Sequence, residues 1–145
     1  MKPNDTGSTA MAIMPAVKLP TSEDALGNHS VEGSLIIPFA VQLPLGWDAG
    51  LMAQFDIARD VSGGGYHPEF IQTVTLGHDI VGKLGGYVEF FSLAGTERNS
   101  HWIYGVDAGL TYSLTADIQL DAGVNVGLTR EAEDVHPFVG LSIRF

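Results

Sequence analysis

Ala116-Asp117-Ile118-Gln119-Leu120-Asp121-Ala122-Gly123-Val124-Asn125-Val126-Gly127-Leu128-Thr129 alternates with a period of two over its whole length. Ile118, Leu120, Ala122, Val124, Val126 and Leu128 fall on one parity. Asp117, Gln119, Asp121, Gly123, Asn125, Gly127 and Thr129 fall on the other. Side chains alternate across a β-strand, so this pattern makes a strand with one apolar and one polar face. It does not by itself say which face points inward.

The same period extends in both directions. It predicts strands at 10–20, 31–43, 46–58, 69–80, 83–93, 101–114, 116–129 and 135–145. Such lengths exceed the usual soluble strand of about 5–6 residues. They suffice for the 9–11 or so that cross a bilayer at a tilt. In 101–114 the apolar parity reads Trp102, Tyr104, Val106, Ala108, Leu110, Tyr112, Leu114, with aromatic residues towards the ends and aliphatic ones between. Trp47 opens the apolar face of 46–58 in the same way. Trp and Tyr favour the membrane–water interface, so Trp47, Trp102, Tyr104 and Tyr112 are expected there. Segments 69–80 and 83–93 are less regular. Gln72 and His78 interrupt one apolar parity, and Tyr87 and Phe91 lie on the polar parity of the other, which leaves room for a bulge.

The final run Val135 to Phe145 also alternates and stops on an aromatic residue. It is similar to the closing strand of a bacterial outer-membrane barrel. In such proteins Leu141, Ile143 and Phe145 would be the signal read by the outer-membrane assembly machinery. Connections alternate as well. Residues 21–30, 60–68, 93–101 and 129–137 are long and polar, whereas Pro44-Leu45-Gly46, Val81-Gly82-Lys83 and Thr115-Ala116 are tight. Outer-membrane barrels place long loops outside and short turns in the periplasm. The reading is an all-β, antiparallel up-and-down transmembrane barrel with eight strands in this chain, located in the outer membrane. Agreement between period, girdles, loops and final strand carries more weight than any one of them.

Composition narrows the function. The chain has 145 residues, enough for one domain. A net charge of −10 with only seven Lys and Arg argues against a nucleic-acid partner. With no cysteine there are no disulfides, no thiol chemistry and no Cys-based zinc site. No apolar run reaches the roughly 18 residues of a transmembrane helix, but alternating barrel strands escape that test. The opening MKPNDTGSTAMAIMPAV lacks the shape of a signal peptide. The chain is therefore expected to be a mature form or part of a longer precursor.

Few signals suggest catalysis. G-x-S-x-G, H-E-x-x-H and P-loop motifs are absent. His29, His67, His78, His101 and His136 show no ligand spacing and read as loop or interfacial residues. Ser100 and His101 are neighbours, and neighbours on a strand point to opposite faces. The expectation is a non-enzyme without cofactor or metal. Ser62-Gly63-Gly64-Gly65-Tyr66 reads as an external loop, because the strand-to-helix setting of a phosphate cradle is missing.

The polar parity carries the candidate chemistry. Glu32, Asp48, Asp56, Glu89, Asp107, Asp117 and Asp121 share it, with Lys18 and Arg144 as the cations. Buried carboxylates need partners or water. An acidic lumen would disfavour anions. An eight-stranded barrel is nearly filled by its own side chains, which equally suits a closed interior. Gly50, Gly105, Gly109, Gly123, Gly127 and Gly140 share this parity and would leave room for a small ligand or for Met52, Tyr87 and Phe91.

Further runs point to one family. Pro15-Ala16-Val17-Lys18-Leu19-Pro20-Thr21, Glu32-Gly33, Leu43-Pro44-Leu45-Gly46-Trp47 and Glu89-Phe90-Phe91 are of this kind. So are Asp107 to Tyr112, Gln119 to Leu128 and Gly140 to Phe145. Over nearly the whole chain the sequence resembles the transporter-like outer-membrane β-barrel family of the meta-pathway of phenol degradation, specifically its C-terminal portion. The resemblance implies passive transport or binding of small hydrophobic or aromatic molecules. It implies as partners the lipid bilayer, lipopolysaccharide and a small-molecule solute. Family members carry additional N-terminal strands, so residues 1–145 would be one barrel domain or the C-terminal part of a larger one. Two other readings stand beside it. One is a non-conducting structural or adhesive barrel acting through its loops. The other is a soluble lipocalin-like barrel with its apolar face turned inward.

Overall fold

The computed structural model describes residues 7–21, 29–60, 64–97 and 100–144. Phe145 of the expected assembly signal lies outside them, as do Ser62 and Gly63. The described residues form one antiparallel up-and-down sheet. Its strands are β1 (Thr9–Met11), β2 (Met14–Lys18), β3 (Glu32–Leu43), β4 (Trp47–Arg59), β5 (Tyr66–Val81), β6 (Leu84–Gly95), β7 (Ile103–Ser113), β8 (Ile118–Gly127) and β9 (Val135–Ile143). Strands β3 to β9 pair in chain order, and β1 and β2 lie end to end along β3. Among the described residues no helix is long and apolar enough to cross a membrane.

Two expectations are corrected. Instead of eight strands there are nine, because residues 10–20 divide in two. Proline explains the division. Ala12 N–H donates to Pro38 C=O at 3.1 Å, so position 38 turns its backbone groups towards the first segment. An antiparallel pair facing this way exchanges two bonds, and Pro38 has no N–H to return to Ala12. The ladder lapses there and resumes at Met14↔Ile36. On its other side β3 meets β4 through an unbroken register that includes Pro38↔Met52. The second correction concerns closure. The sheet is open, with β1/β2 at one edge and β9 at the other.

Proline also ends the β5–β6 ladder. Thr96 donates from its N–H and from its Oγ1 to Pro68 C=O, both at 3.1 Å, where Pro68 has no donor of its own. The short connections are tight, as predicted. Pro44–Gly46 is a single 3₁₀ turn. Gly82, at φ 60°, supplies the left-handed residue that a two-residue hairpin between Val81 and Leu84 requires. Lys83 Nζ reaches across to Leu114 C=O at 2.7 Å and ties two turns together.

The register keeps the two faces separate from β1 to β9. The one shift lies between Asp79 and Val81, beside the hairpin. Gln72, His78, Tyr87 and Phe91 therefore occupy the faces their parity gives, with no mid-strand bulge. Exposure distinguishes the faces. Leu110, Val106 and Tyr112 on the apolar face of β7 are exposed, whereas Gly105 on the polar face is buried and Asp107 is half-buried. Side chains crowd on the inside of a curved sheet, so the polar face is the inner one. No large apolar side chain is buried among the described residues.

Candidate functional site: the inner polar face

The register aligns the inner residues in rows across the strands. One row runs Ala10, Ala40, Gly50, Thr75, Glu89, Asp107, Asn125, His136. Glu89 and Asp107 face each other on adjacent strands near the middle of the sheet. Like charges directly opposite are destabilising. Thr75 Oγ1 donates a short hydrogen bond to Glu89 Oε2. Asp107 Oδ1 is buried without a hydrogen-bond partner.

Glycine and aromatic residues frame this pair. On β6 the inner order is Tyr87, Glu89, Phe91, and on β7 it is Gly109, Asp107, Gly105, so each ring faces a glycine. A Cβ added at Gly109 would meet the Tyr87 ring at 2.7 Å, and one at Gly105 would collide with Phe91. On β8, Gly123 admits Phe138 in the same way, with a Cβ falling 2.8 Å from its Cζ. These glycines are therefore occupied by rings from neighbouring strands. They make flat aromatic flanks around the acidic pair rather than empty lumen.

Towards the loops the inner carboxylates are engaged. Glu32 accepts from Lys18 Nζ at 2.7 Å and from the Arg59 N–H at 2.9 Å. Asp56 accepts twice from Gln54 Nε2, at 2.9 and 2.8 Å. At the turn end Arg144 Nη2 lies 2.6 Å from Asp117 Oδ1. Asp121 lies against Gly140, where a Cβ would fall 2.7 Å from Oδ1. The register thus sets Glu32, Asp56, Glu89, Asp107, Asp121 and Lys18 on one face. Asp117 and Arg144 sit at its turn-side margin. Lys18 and Arg144 stand at opposite ends, and no described Lys or Arg lies in the Glu89–Asp107 row.

His67, read from the sequence as a loop or interfacial residue, lies within β5 near its loop end and is buried. It is 8% exposed, with Nδ1 2.8 Å from Asp60 Oδ1 and Nε2 3.2 Å from Glu69 Oε1. The bond to Asp60 raises its pKa from the ordinary 6.5, with Glu69 adding to the effect and burial opposing it. It stands at the loop end of β5, outside the stretch that would cross a bilayer. Its i, i+2 spacing to Glu69 was readable as a shared strand face, whereas Asp60 comes from β4's side of the loop.

On the outer face Trp47 and Tyr112 lie at the turn end, and Trp102 and Tyr104 at the loop end. Trp47 meets His78 edge-on at 4.5 Å, and Trp102 stacks on Tyr104 at 5.8 Å. Leu141 and Ile143 are exposed on the same face of β9. Among the described residues no cluster of three or more His, Cys, Asp or Glu is placed to hold a metal ion.

Residues 3–145 match the model of the family described as "Putative MetA-pathway of phenol degradation". The chain belongs to that family. No curated protein and no solved structure matches it. For this phenol-degradation family member the sheet supplies an all-β frame whose inner face carries the acidic side chains and whose outer face is apolar.

Proposed function

We propose that the chain forms an outer-membrane barrel for the passive transport or binding of small solutes, and that it is not an enzyme. One observation carries the reading: the long strands of the sheet bury no large apolar side chain and expose the apolar face. In water such a face would be an aggregation hazard. In hydrocarbon it is the solvated surface, provided every backbone group is paired by closure of the sheet. A soluble lipocalin-like barrel would enclose the face that is exposed here. The girdle positions of Trp47, Trp102, Tyr104 and Tyr112 fit the two interfaces of a bilayer. Lipid, lipopolysaccharide and the assembly machinery are the partners this reading requires. The acidic inner row favours cations or neutral solutes over anions, and the family description supports aromatic or hydrophobic ones.

The second reading is a non-conducting structural or adhesive barrel. It is favoured by Tyr87, Phe91 and Phe138, whose rings fill inner space above glycines. Refolding into detergent micelles, heat-modifiable gel migration and planar-bilayer recording test both. A folded, conducting species supports transport. A folded species without conductance under any condition leaves the structural reading.

A further inference from the structure

Along β6 and β7 the inner face alternates between aromatic and acidic levels. Phe91 covers Gly105, Glu89 faces Asp107, and Tyr87 covers Gly109. These side chains belong to two neighbouring strands in the interior of the sheet, with Thr75 of β5 on one side and Asn125 of β8 on the other. The ladders between β5 and β8 fix their arrangement, so it does not depend on how many strands complete the wall.

The acids are short of partners. Glu89 accepts from the Thr75 hydroxyl, a neutral donor, and Asp107 Oδ1 is buried with no hydrogen-bond partner. Lys18 is bonded to Glu32 and Arg144 to Asp117, at opposite ends of the face. Two carboxylates brought together in an interior call for a compensating cation.

The levels on either side select the kind of cation. A hard metal ion such as calcium takes six or more oxygen ligands. Here the donors are two carboxylates and one hydroxyl, and the neighbouring levels offer ring carbon instead of oxygen. An ammonium ion carrying alkyl groups matches better. Aromatic faces attract it within about 6 Å of the ring centroid, and rings are the usual means of recognising quaternary ammonium groups. Two residues along a strand span roughly 7 Å. The alkyl groups of a cation held between Glu89 and Asp107 therefore extend towards both rings. Seating over glycine keeps the rings low across β7, since a Cβ at position 109 would stand 2.7 Å from Tyr87. Tyr87, Glu89, Phe91 and Asp107 are all half-buried, so part of each remains open to the inner space.

We propose that Tyr87, Glu89, Phe91 and Asp107 form a binding site for small organic ammonium ions, in which the carboxylates compensate the charge and the rings select alkylated cations over inorganic ones. The inference rests on the membrane-barrel reading and names a solute class for it.

Choline and 3,3-dimethylbutan-1-ol share a shape and differ in charge. NMR titration of the full chain refolded in micelles should show saturable binding of choline and none of the alcohol at the same concentration. The methyl protons of bound choline should shift upfield under the ring currents of Tyr87 and Phe91, a readout that needs no variant. The nearly isosteric double variant Glu89→Gln/Asp107→Asn should weaken choline binding by about tenfold or more. Tyr87→Leu and Phe91→Leu should each weaken it several-fold. A folded protein that binds no choline, or binds choline and the alcohol alike, overturns the site. So does binding that survives the double acid variant. Displacement by potassium chloride at equal concentration, or bound choline without an upfield shift, overturns selection by the rings. Absence of heat-modifiable migration in the unmodified chain overturns the barrel reading itself, whereas a folded chain without choline binding overturns the site alone.

Discussion

Glu89 on β6 stands directly opposite Asp107 on β7, and Asp107 Oδ1 has no hydrogen-bond partner. Two acids facing each other without a described Lys or Arg in their row are a poor arrangement for stability and a good one for discriminating charge. Asp107→Asn removes the repulsion and should stabilise the folded protein by about 0.2–1 kcal/mol, the scale of a cross-strand charge pair. The same change should lower cation preference in planar bilayers, and Glu89→Gln should act in the same direction. Unchanged reversal potentials in both variants would remove the pair from the transport reading.

The rings over glycine make a steric prediction. Gly105→Ala places a methyl against Phe91, and Gly109→Ala places one against Tyr87. Each should cost about 1–3 kcal/mol, as overpacking does. Truncating the ring should relieve the clash, so Gly105→Ala should be much less harmful on a Phe91→Ala background. A double-mutant cycle in urea measures the coupling. Additive losses would show that ring and glycine do not share the space.

Pro38→Ala restores the missing donor opposite Ala12. The first segment should then become continuous from Thr9 to Lys18. A bond of this kind contributes about 0.5–1.5 kcal/mol. Hydrogen exchange should register it as slow exchange at the new amide of position 38, whose N–H is aimed at Ala12 C=O, and as slower exchange at Ala12 than in the unmodified protein. Fast exchange there would mean that another constraint sets the interruption.

His67 makes the loop end of β5 sensitive to pH. Its pKa is raised in the folded state, chiefly by Asp60. Protonated, it holds Asp60 and Glu69 together. That stabilisation is complete below the ordinary value of 6.5 and is lost as pH rises through the raised folded value. Proteolysis around residues 60–65 should therefore quicken with rising pH. His67→Gln should abolish the dependence. A pH-independent rate in the unmodified protein would contradict the arrangement.

Much of this was legible in the amino-acid order. Which residues share a face is a local property, because a strand reverses its side chains at every residue. Val106, Asp107 and Ala108 therefore revealed their faces without any knowledge of β6. Turn residues likewise marked the short connections at Pro44–Gly46 and Val81–Lys83, and the resemblance of runs such as Asp107 to Tyr112 pointed to the family to which the chain belongs. Gln72 and His78, which looked like signs of a slipped register, instead remain in register on the apolar face.

Pairing lies beyond local reading. That Glu89 meets Asp107, that Tyr87 covers Gly109, and that Asp60 reaches His67 depend on the stagger between strands, to which residues far apart in sequence contribute. The break at Ala12–Ile13 arises from a proline 26 positions away, visible only once Ala12 is seen to bond to Pro38. The sequence by itself determined the strands and their two faces, because those follow from period and turn chemistry. Only the tertiary structure decided the neighbours, the rings over glycine and the open edges, because hydrogen-bond register is a property of pairs of strands and not of either one alone.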